Sequence, residues 1–331
     1  MAVVIGALAG AGPAWACATC GCTLSKDWLG GQGMGSAGWS IGLSYDFIDQ
    51  NQLRVGTTKL SLAQADAILN TGPNAPSGNE VETQTLTRTT TLNLDYNTPE
   101  WGVSVQLPMV YRYHTTNQYG IYPTDTSNAQ SYNFSQVDSL GDLRIVGRYA
   151  VLADSTAGVT VGVKLPTGQT NAQFAGYGGN TGDYVDPSLQ AGTGSTDLLL
   201  GGYYTGQVED FGWFAQALWQ HALSSQAGYT PGDAITANVG LRYAAMGQTV
   251  VPLLQLNVVH RNTDSGFNAS READGTPQTG GNLVYLAPGV SATLGNGFRA
   301  YGYVQIPIYQ NVNGVQLVAK EIVSVGIRKS F

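Results

Sequence analysis

The chain sorts its connections by length, and it does so with strict parity. From Ala37 onward, apolar and polar residues alternate in stretches at 37–48, 83–97, 101–114, 139–151, 157–166, 195–208, 211–222, 234–246, 249–262, 282–294, 297–310 and 320–331. Period-two alternation places successive side chains on opposite faces of a strand. Each stretch reaches the ~9–11 residues that a tilted membrane-crossing strand needs. Short links follow at Thr98–Glu100, Leu152–Thr156, Glu209–Asp210, Gly247–Gln248 and Gly295–Asn296. Long links lie at 49–82, 115–138, 167–194, 223–233, 263–281 and 311–319. A secreted β-sandwich or β-helix shares the Gly and Thr richness but has no reason to sort loops this way. An outer-membrane barrel has short periplasmic turns and long external loops. The expected fold is therefore all-β: a single transmembrane antiparallel β-barrel of about 12 strands, with both termini periplasmic.

Composition agrees. Charged residues make up 11% of the chain, against ~25% for a soluble globular protein. No run of 18 apolar residues occurs past the N-terminus, which excludes a helical membrane protein. The net charge of −7 comes with no basic run of the kind that binds nucleic acid. Outer-membrane lipid is the expected surrounding, in a bacterial cell.

The N-terminus reads as a targeting segment. Residues 1–16 form a signal peptide ending in Ala14-Trp15-Ala16, an A-x-A cleavage pattern. No Lys or Arg precedes its apolar stretch, so the expected segment has a truncated start. Residues 17–36 then form a Cys-containing periplasmic segment, and 37–331 the barrel. Cys17, Cys20 and Cys22 admit a disulfide, which suits an oxidising compartment, or a thiolate site for a soft metal. Covalent haem needs His after the second Cys, and Gly21 stands there. The odd count leaves one thiol for a periplasmic redox or metal protein as partner.

Alternation also assigns faces. A Lys or Arg at the lipid midplane costs ~2–4 kcal/mol, so charged positions belong inside. The expected pore-lining set is Arg112, Asp142, Arg144, Arg148, Lys164, Arg242, Arg261, Arg299 and Arg328, with Asp46, Asp95 and Asp197 as further luminal acids. Luminal bases outnumber luminal acids although the whole chain is acidic. Two readings stand: a ring of Arg that favours anions, or a structural set of salt bridges. Aromatic residues near strand ends, including Trp39, Tyr96, Trp101, Tyr111 and Trp213, fit two interfacial girdles. Leu60–Leu69, inside the first long link, reads as a short helix that either caps the mouth or packs on its own loop. His114, His221 and His260 are scattered, and His221 beside Ser224 and Ser225 has no spaced carboxylate, so neither a metal cofactor nor an enzyme is expected.

Several motifs carry a family resemblance. They are Leu140-Gly141-Asp142-Leu143 with Arg148-Tyr149, Val161-Gly162-Val163-Lys164-Leu165-Pro166-Thr167-Gly168, and Gly192-Thr193-Gly194-Ser195-Thr196-Asp197. Leu286-Ala287-Pro288-Gly289-Val290 and Val304-Gln305-Ile306-Pro307-Ile308-Tyr309 with Asn313-Gly314 complete the set. The chain resembles the outer-membrane family of proposed transporters of the meta-pathway of phenol degradation. That resemblance implies a barrel and a transport role; the Cys-rich start departs from it. The final strand, ending at Phe331, resembles the signal that outer-membrane assembly machinery recognises. The expected function is a porin-like channel for passive passage of small solutes, anionic or aromatic. The alternative is a barrel scaffold or sheath that docks the periplasmic partner through its Cys segment.

Overall fold

In the computed structural model, residues 37–70, 80–118, 131–152, 154–176, 182–243, 249–266 and 278–331 are described. The strands longer than two residues are β1 (Gly38–Gly56), β2 (Glu80–Asn97), β3 (Trp101–Gln118), β4 (Ser131–Leu140), β5 (Leu143–Ala150), β6 (Ala157–Leu165), β7 (Asp197–Val208), β8 (Phe211–Ala222), β9 (Ala234–Tyr243), β10 (Val250–Arg261), β11 (Gly281–Gly295) and β12 (Phe298–Ser330), with one α-helix among the described residues, α1 (Leu62–Asn70). Each pairs antiparallel with its neighbour, and the ring closes because β1 bonds to both β2 and β12. The seam register is regular through Ser40↔Ser330 and Tyr45↔Val325.

Eleven of these strands form the closed ring, and β4 continues β5 along β3. The junction of β4 and β5 is a bulge at Gly141-Asp142, since Met109 faces Leu140 while Gln106 faces Arg144. The last strand doubles back on itself. Residues 298–312 pair with β11, whereas 312–330 pair with β1. The amide of Ser330 donates to the Gly297 carbonyl at 3.0 Å, and Gln310 Nε2 to the Ala319 carbonyl at 2.9 Å. Gly314 makes the reversal at φ +57°. Counting both arms of β12, the wall is crossed twelve times.

One connection departs from expectation. The link 311–319 is not a long loop: it is the tip of that hairpin, with both flanks paired. Its Asn and Gln residues look like loop chemistry, but Gln316 Nε2 donates to the Gly280 carbonyl at 3.0 Å and so belongs to the wall. The strands β1 to β3 also run further toward the long loops than alternation alone indicates. There α1 packs Ala65 and Leu69 against Leu53, Val81, Val315 and Leu317 of that extended wall. Its start is a capping box: Ser61 Oγ accepts from the Gln64 amide at 3.3 Å while Gln64 Oε1 accepts from the Ser61 amide at 2.8 Å.

The burial pattern is that of a barrel in oil. On β10, Leu254, Leu256 and Val258 are exposed, whereas Gln255 and Asn257 between them are 0% exposed. The same inversion recurs on β9 and on the first arm of β12, where Ile235, Val239, Leu241, Val304 and Ile306 face out. In water these residues would form a large apolar patch; in a bilayer they are the lipid-facing band. Two outward cations stand over aromatic rings: Lys329, at the end of β12, 4.6 Å from the Phe298 centroid, and Arg88, midway along β2, 5.3 Å from that of Tyr111. At the short-turn end Trp39, Tyr96 and Trp101 pack in series as tilted rings at 5.0 and 5.5 Å, as in an interfacial girdle.

Candidate transport lumen

Inside the wall the inward-facing residues form three levels. Nearest the long loops, the bulge at Gly141-Asp142 turns a carboxylate toward the interior. Lys164 Nζ, on the neighbouring strand, lies 2.9 Å from Asp142 Oδ2 and 3.3 Å from Asp197 Oδ2. It also donates to the Ser195 carbonyl at 3.0 Å and to the Thr193 hydroxyl. All three charged side chains are buried, at 3, 7 and 1% exposure. Asp142 in turn accepts from the Gly168 amide at 3.1 Å and the Thr193 amide at 2.9 Å. One carboxylate therefore holds both ends of the loop that joins β6 to β7. The neck is so tight that a Cβ on Gly168 or Gly192 would lie 2.6–2.7 Å from the other's Cα.

That loop folds against the inner wall. Ala172, Phe174, Val185 and Leu189 pack with Val137, which faces inward because it pairs with Arg112. Arg112 donates to the carbonyls of Ser188 at 3.2 Å and Gln190 at 3.0 Å. His114 contributes its ring, 6.2 Å from that of Phe174. Arg144 Nη2 donates to Gln220 Oε1 at 3.4 Å, and Gln220 bonds onward to Asp197. Arg261, further round, holds Asp264 at 2.9 Å, a carboxylate that also accepts from the Tyr229 hydroxyl and the Gly232 amide at 2.7 Å.

At mid-height the opposite flank carries a belt of amides. Asn257 Nδ2 donates to Gln305 Oε1 at 3.0 Å, and Gln255 Nε2 to the Tyr303 hydroxyl at 3.0 Å. Both bonds reach across β11, where Ala287 is small enough to let them pass. Asn238 lies beside Asn257 in the register. Apolar clusters border the belt on both sides. Phe214, Leu253, Ala287 and Tyr303 lie toward the short turns, and Ile48, Leu283, Tyr285, Val312 and Ile322 toward the long loops.

Closest to the short turns is a girdle of guanidinium groups. Arg328 binds Asp95 at 2.9 Å and the Ser40 hydroxyl at 2.7 Å. Arg299 lies within electrostatic reach of both Arg328 and Arg242. Arg242 donates to Gln207 Oε1 at 2.8 Å, and Arg148 to Asn97 Oδ1. Among the described inward residues at this level, four guanidiniums face one carboxylate, Asp95.

The residues singled out from the sequence thus separate into two groups. Asp142, Lys164, Arg112, Arg144 and Arg261 tie loops and strands together at the long-loop end. Arg148, Arg242, Arg299 and Arg328 share the girdle. Gly168 and Thr193 on Asp142, and Ser195 on Asp197, complete the clamp; they stand in the Gly-rich motifs, which show tight turns but not these carboxylate partners. Cys17, Cys20 and Cys22 lie outside the described residues. Among the described residues, no group of three His, Cys, Asp or Glu could hold a metal ion.

No family model and no curated protein matches the chain. The COG4313 outer membrane channel from Pseudomonas putida F1 is similar in structure, with a TM-score of 0.58 and 12% identity over 89% of this chain and 96% of that one. The Ralstonia pickettii toluene transporter TbuX gives 0.46 at 10% identity over 97% and 96%, and the translocator domain of NalP from Neisseria meningitidis 0.45 at 11% over 90% of each. At such identities the first likeness speaks for the fold alone, and the two weaker ones carry no argument. The chain has the fold of a bacterial outer-membrane β-barrel.

Proposed function

We propose that this protein is a passive outer-membrane channel for small solutes, anionic or aromatic, with its short turns and both termini in the periplasm. The observation that carries the reading is the girdle at the short-turn end. Among the described inward residues at this level stand Arg148, Arg242, Arg299 and Arg328, and rings of Arg attract anions. The motifs that resemble proposed transporters of phenol degradation support the same direction. Phe331, three-quarters exposed at the seam, is assigned as the handle for outer-membrane assembly machinery.

Planar-bilayer recording tests the reading. Under a KCl gradient the wild-type reversal potential should lie on the anion side, and Arg148→Glu with Arg299→Glu should move it toward cations. A folded barrel that passes no current would contradict the proposal.

A further inference from the structure

We infer that the outward face of β1, β2 and β3 binds a phosphorylated glycolipid of the outer leaflet, with Arg88 holding its phosphate. The inference concerns the outside of the wall, not passage through the lumen. It rests on the orientation given above, with the short turns in the periplasm. Cross-strand register puts Val323, Phe47, Arg88, Tyr111 and Asp138 in one row across adjacent strands. On the short-turn side of that row the outward face is apolar: Ile41, Leu43, Leu92, Leu94 and Met109 are exposed. On the other side polar groups enter that face. Gln84 Nε2 donates to Asp49 Oδ1 at 2.8 Å, and Lys320 and Glu321 are exposed. The row therefore marks the upper edge of the lipid-facing band. Arg88 stands eight residues along β2 from Tyr96 of the short-turn girdle. At about 3.3 Å per residue and a tilt of about 40°, that is a rise of about 20 Å. The apolar band of such a barrel is ~25 Å tall, and an Arg stem covers the remainder by reaching toward water. Because β2 overshoots the bilayer, a residue midway along it reaches the headgroups.

The wall does not neutralise this cation. The ion pairs among the described residues belong to Lys164, His221, Arg261 and Arg328. Asp49, on the neighbouring strand, already accepts from Gln84 Nε2 at 2.8 Å and Asn51 Nδ2 at 2.9 Å. Asp138 lies beyond Tyr111 in the row. Arg88 instead stands 5.3 Å from the Tyr111 ring centroid, with Phe47 as its cross-strand partner on the other side. Aromatic neighbours on both sides order the stem and aim its fork of N–H groups outward. That fork matches a phosphate bidentately. A phosphate monoester carries close to two negative charges at neutral pH, which favours it over a diester. The surroundings select the rest of the ligand. Asp49, Asp138 and Glu321 border the position, so a small free anion gains little there. A lipid gains more, since its acyl chains lie along Leu43, Leu92 and Met109 below the row.

The experiment is native mass spectrometry of the detergent-solubilised full chain, with dissociation constants from lipid titration. The probes are lipid A with its phosphate monoesters, the same lipid dephosphorylated, and phosphatidylglycerol. Phosphorylated lipid A should bind about tenfold more tightly than the dephosphorylated form, the size of one charged hydrogen-bonded contact. Arg88→Gln should remove that preference and leave the dephosphorylated form unchanged. Arg88→Lys, which keeps the charge and loses the fork, should retain about threefold of it. Heat-modifiable gel mobility checks that each variant is folded. Equal binding of the two forms of lipid A, the result expected of annular lipid alone, overturns the site. So does a preference that survives Arg88→Gln, or phosphatidylglycerol binding as tightly as phosphorylated lipid A. Competition by inorganic phosphate at the lipid's own concentration overturns the choice of a lipid. Orientation is scored separately. With Cys17, Cys20 and Cys22 changed to Ser, Ser225→Cys in the link 223–233 should react with an impermeant maleimide on intact cells. Labelling without a phosphate preference loses the site and keeps the orientation, whereas a preference without labelling overturns the assignment to the outer leaflet.

Discussion

The two flanks of the lumen use inward polarity in opposite ways. On the flank from β3 to β7, charges are buried and saturated: Lys164 touches two carboxylates, and Asp142 receives two loop amides. On the flank from β8 to β12, the inward groups at mid-height are uncharged amides between apolar clusters. The difference teaches that a luminal charge in a barrel is not by itself a pore feature. Where a bulge and a loop neck converge, the charge fixes the loop. The guanidiniums at the short-turn end, Arg148, Arg242, Arg299 and Arg328, stand apart from that clamp.

This contrast can be broken by substitution. Lys164→Met should have the largest effect, since it leaves Asp142 and Asp197 buried without their cation, and breaking such a pair costs about 3–5 kcal/mol. Urea unfolding in detergent, read by gel mobility, measures it. Replacing Lys164, Asp142 and Asp197 together with apolar residues of similar volume should recover most of the loss; no recovery would mean that the clamp is not an ionic unit. On the other flank, Leu253→Ala should cost about 2–5 kcal/mol through a cavity beside Phe214 and Tyr303, with no change in ion selectivity. Arg112→Leu comes next, at about 1.5–3 kcal/mol for its charged hydrogen bonds to the loop. Limited proteolysis should then cut within 166–196 faster than in wild type. Arg299→Glu should have the smallest effect on stability, below about 1 kcal/mol, because its salt bridge would be with a neighbouring Arg at a wet lumen end. A stability loss as large as that of Lys164→Met would erase the distinction between clamp and girdle.

Much of this was legible in the amino-acid order. Alternation located the wall, and the costs of burying Arg in oil assigned its faces, because a strand has only two faces to choose from. The short turns were legible from Glu209-Asp210 and Gly295-Asn296, where Glu209, Gly295 and Asn296 take positive φ. What escaped was long-range. Residues 311–319 carry Asn and Gly in a pattern shared by loops and by two-residue hairpin turns, and only the partner strand distinguishes them. The loop 166–196 reads as solvated from its Gly, Asn and Thr. Yet Phe174, Val185 and Leu189 need an apolar partner, and Val137 supplies it from a distant strand. The clamp was half visible: Asp142, Lys164 and Asp197 each fell inward by parity, but parity gives a face and not a neighbour.

Closure of the barrel depends on the seam between the first and last strands, and a double-cysteine variant tests it most directly. In a background with Cys17, Cys20 and Cys22 changed to Ser, Tyr45→Cys with Val325→Cys places two thiols at partner positions, at a separation that cross-strand pairs share with disulfides. Oxidation should give an intramolecular bond in nearly every molecule, seen as altered mobility on a denaturing, non-reducing gel and reversed by reductant. Failure of that pair to close, with ready bonding instead between separate molecules, would mean that the sheet is open at this edge.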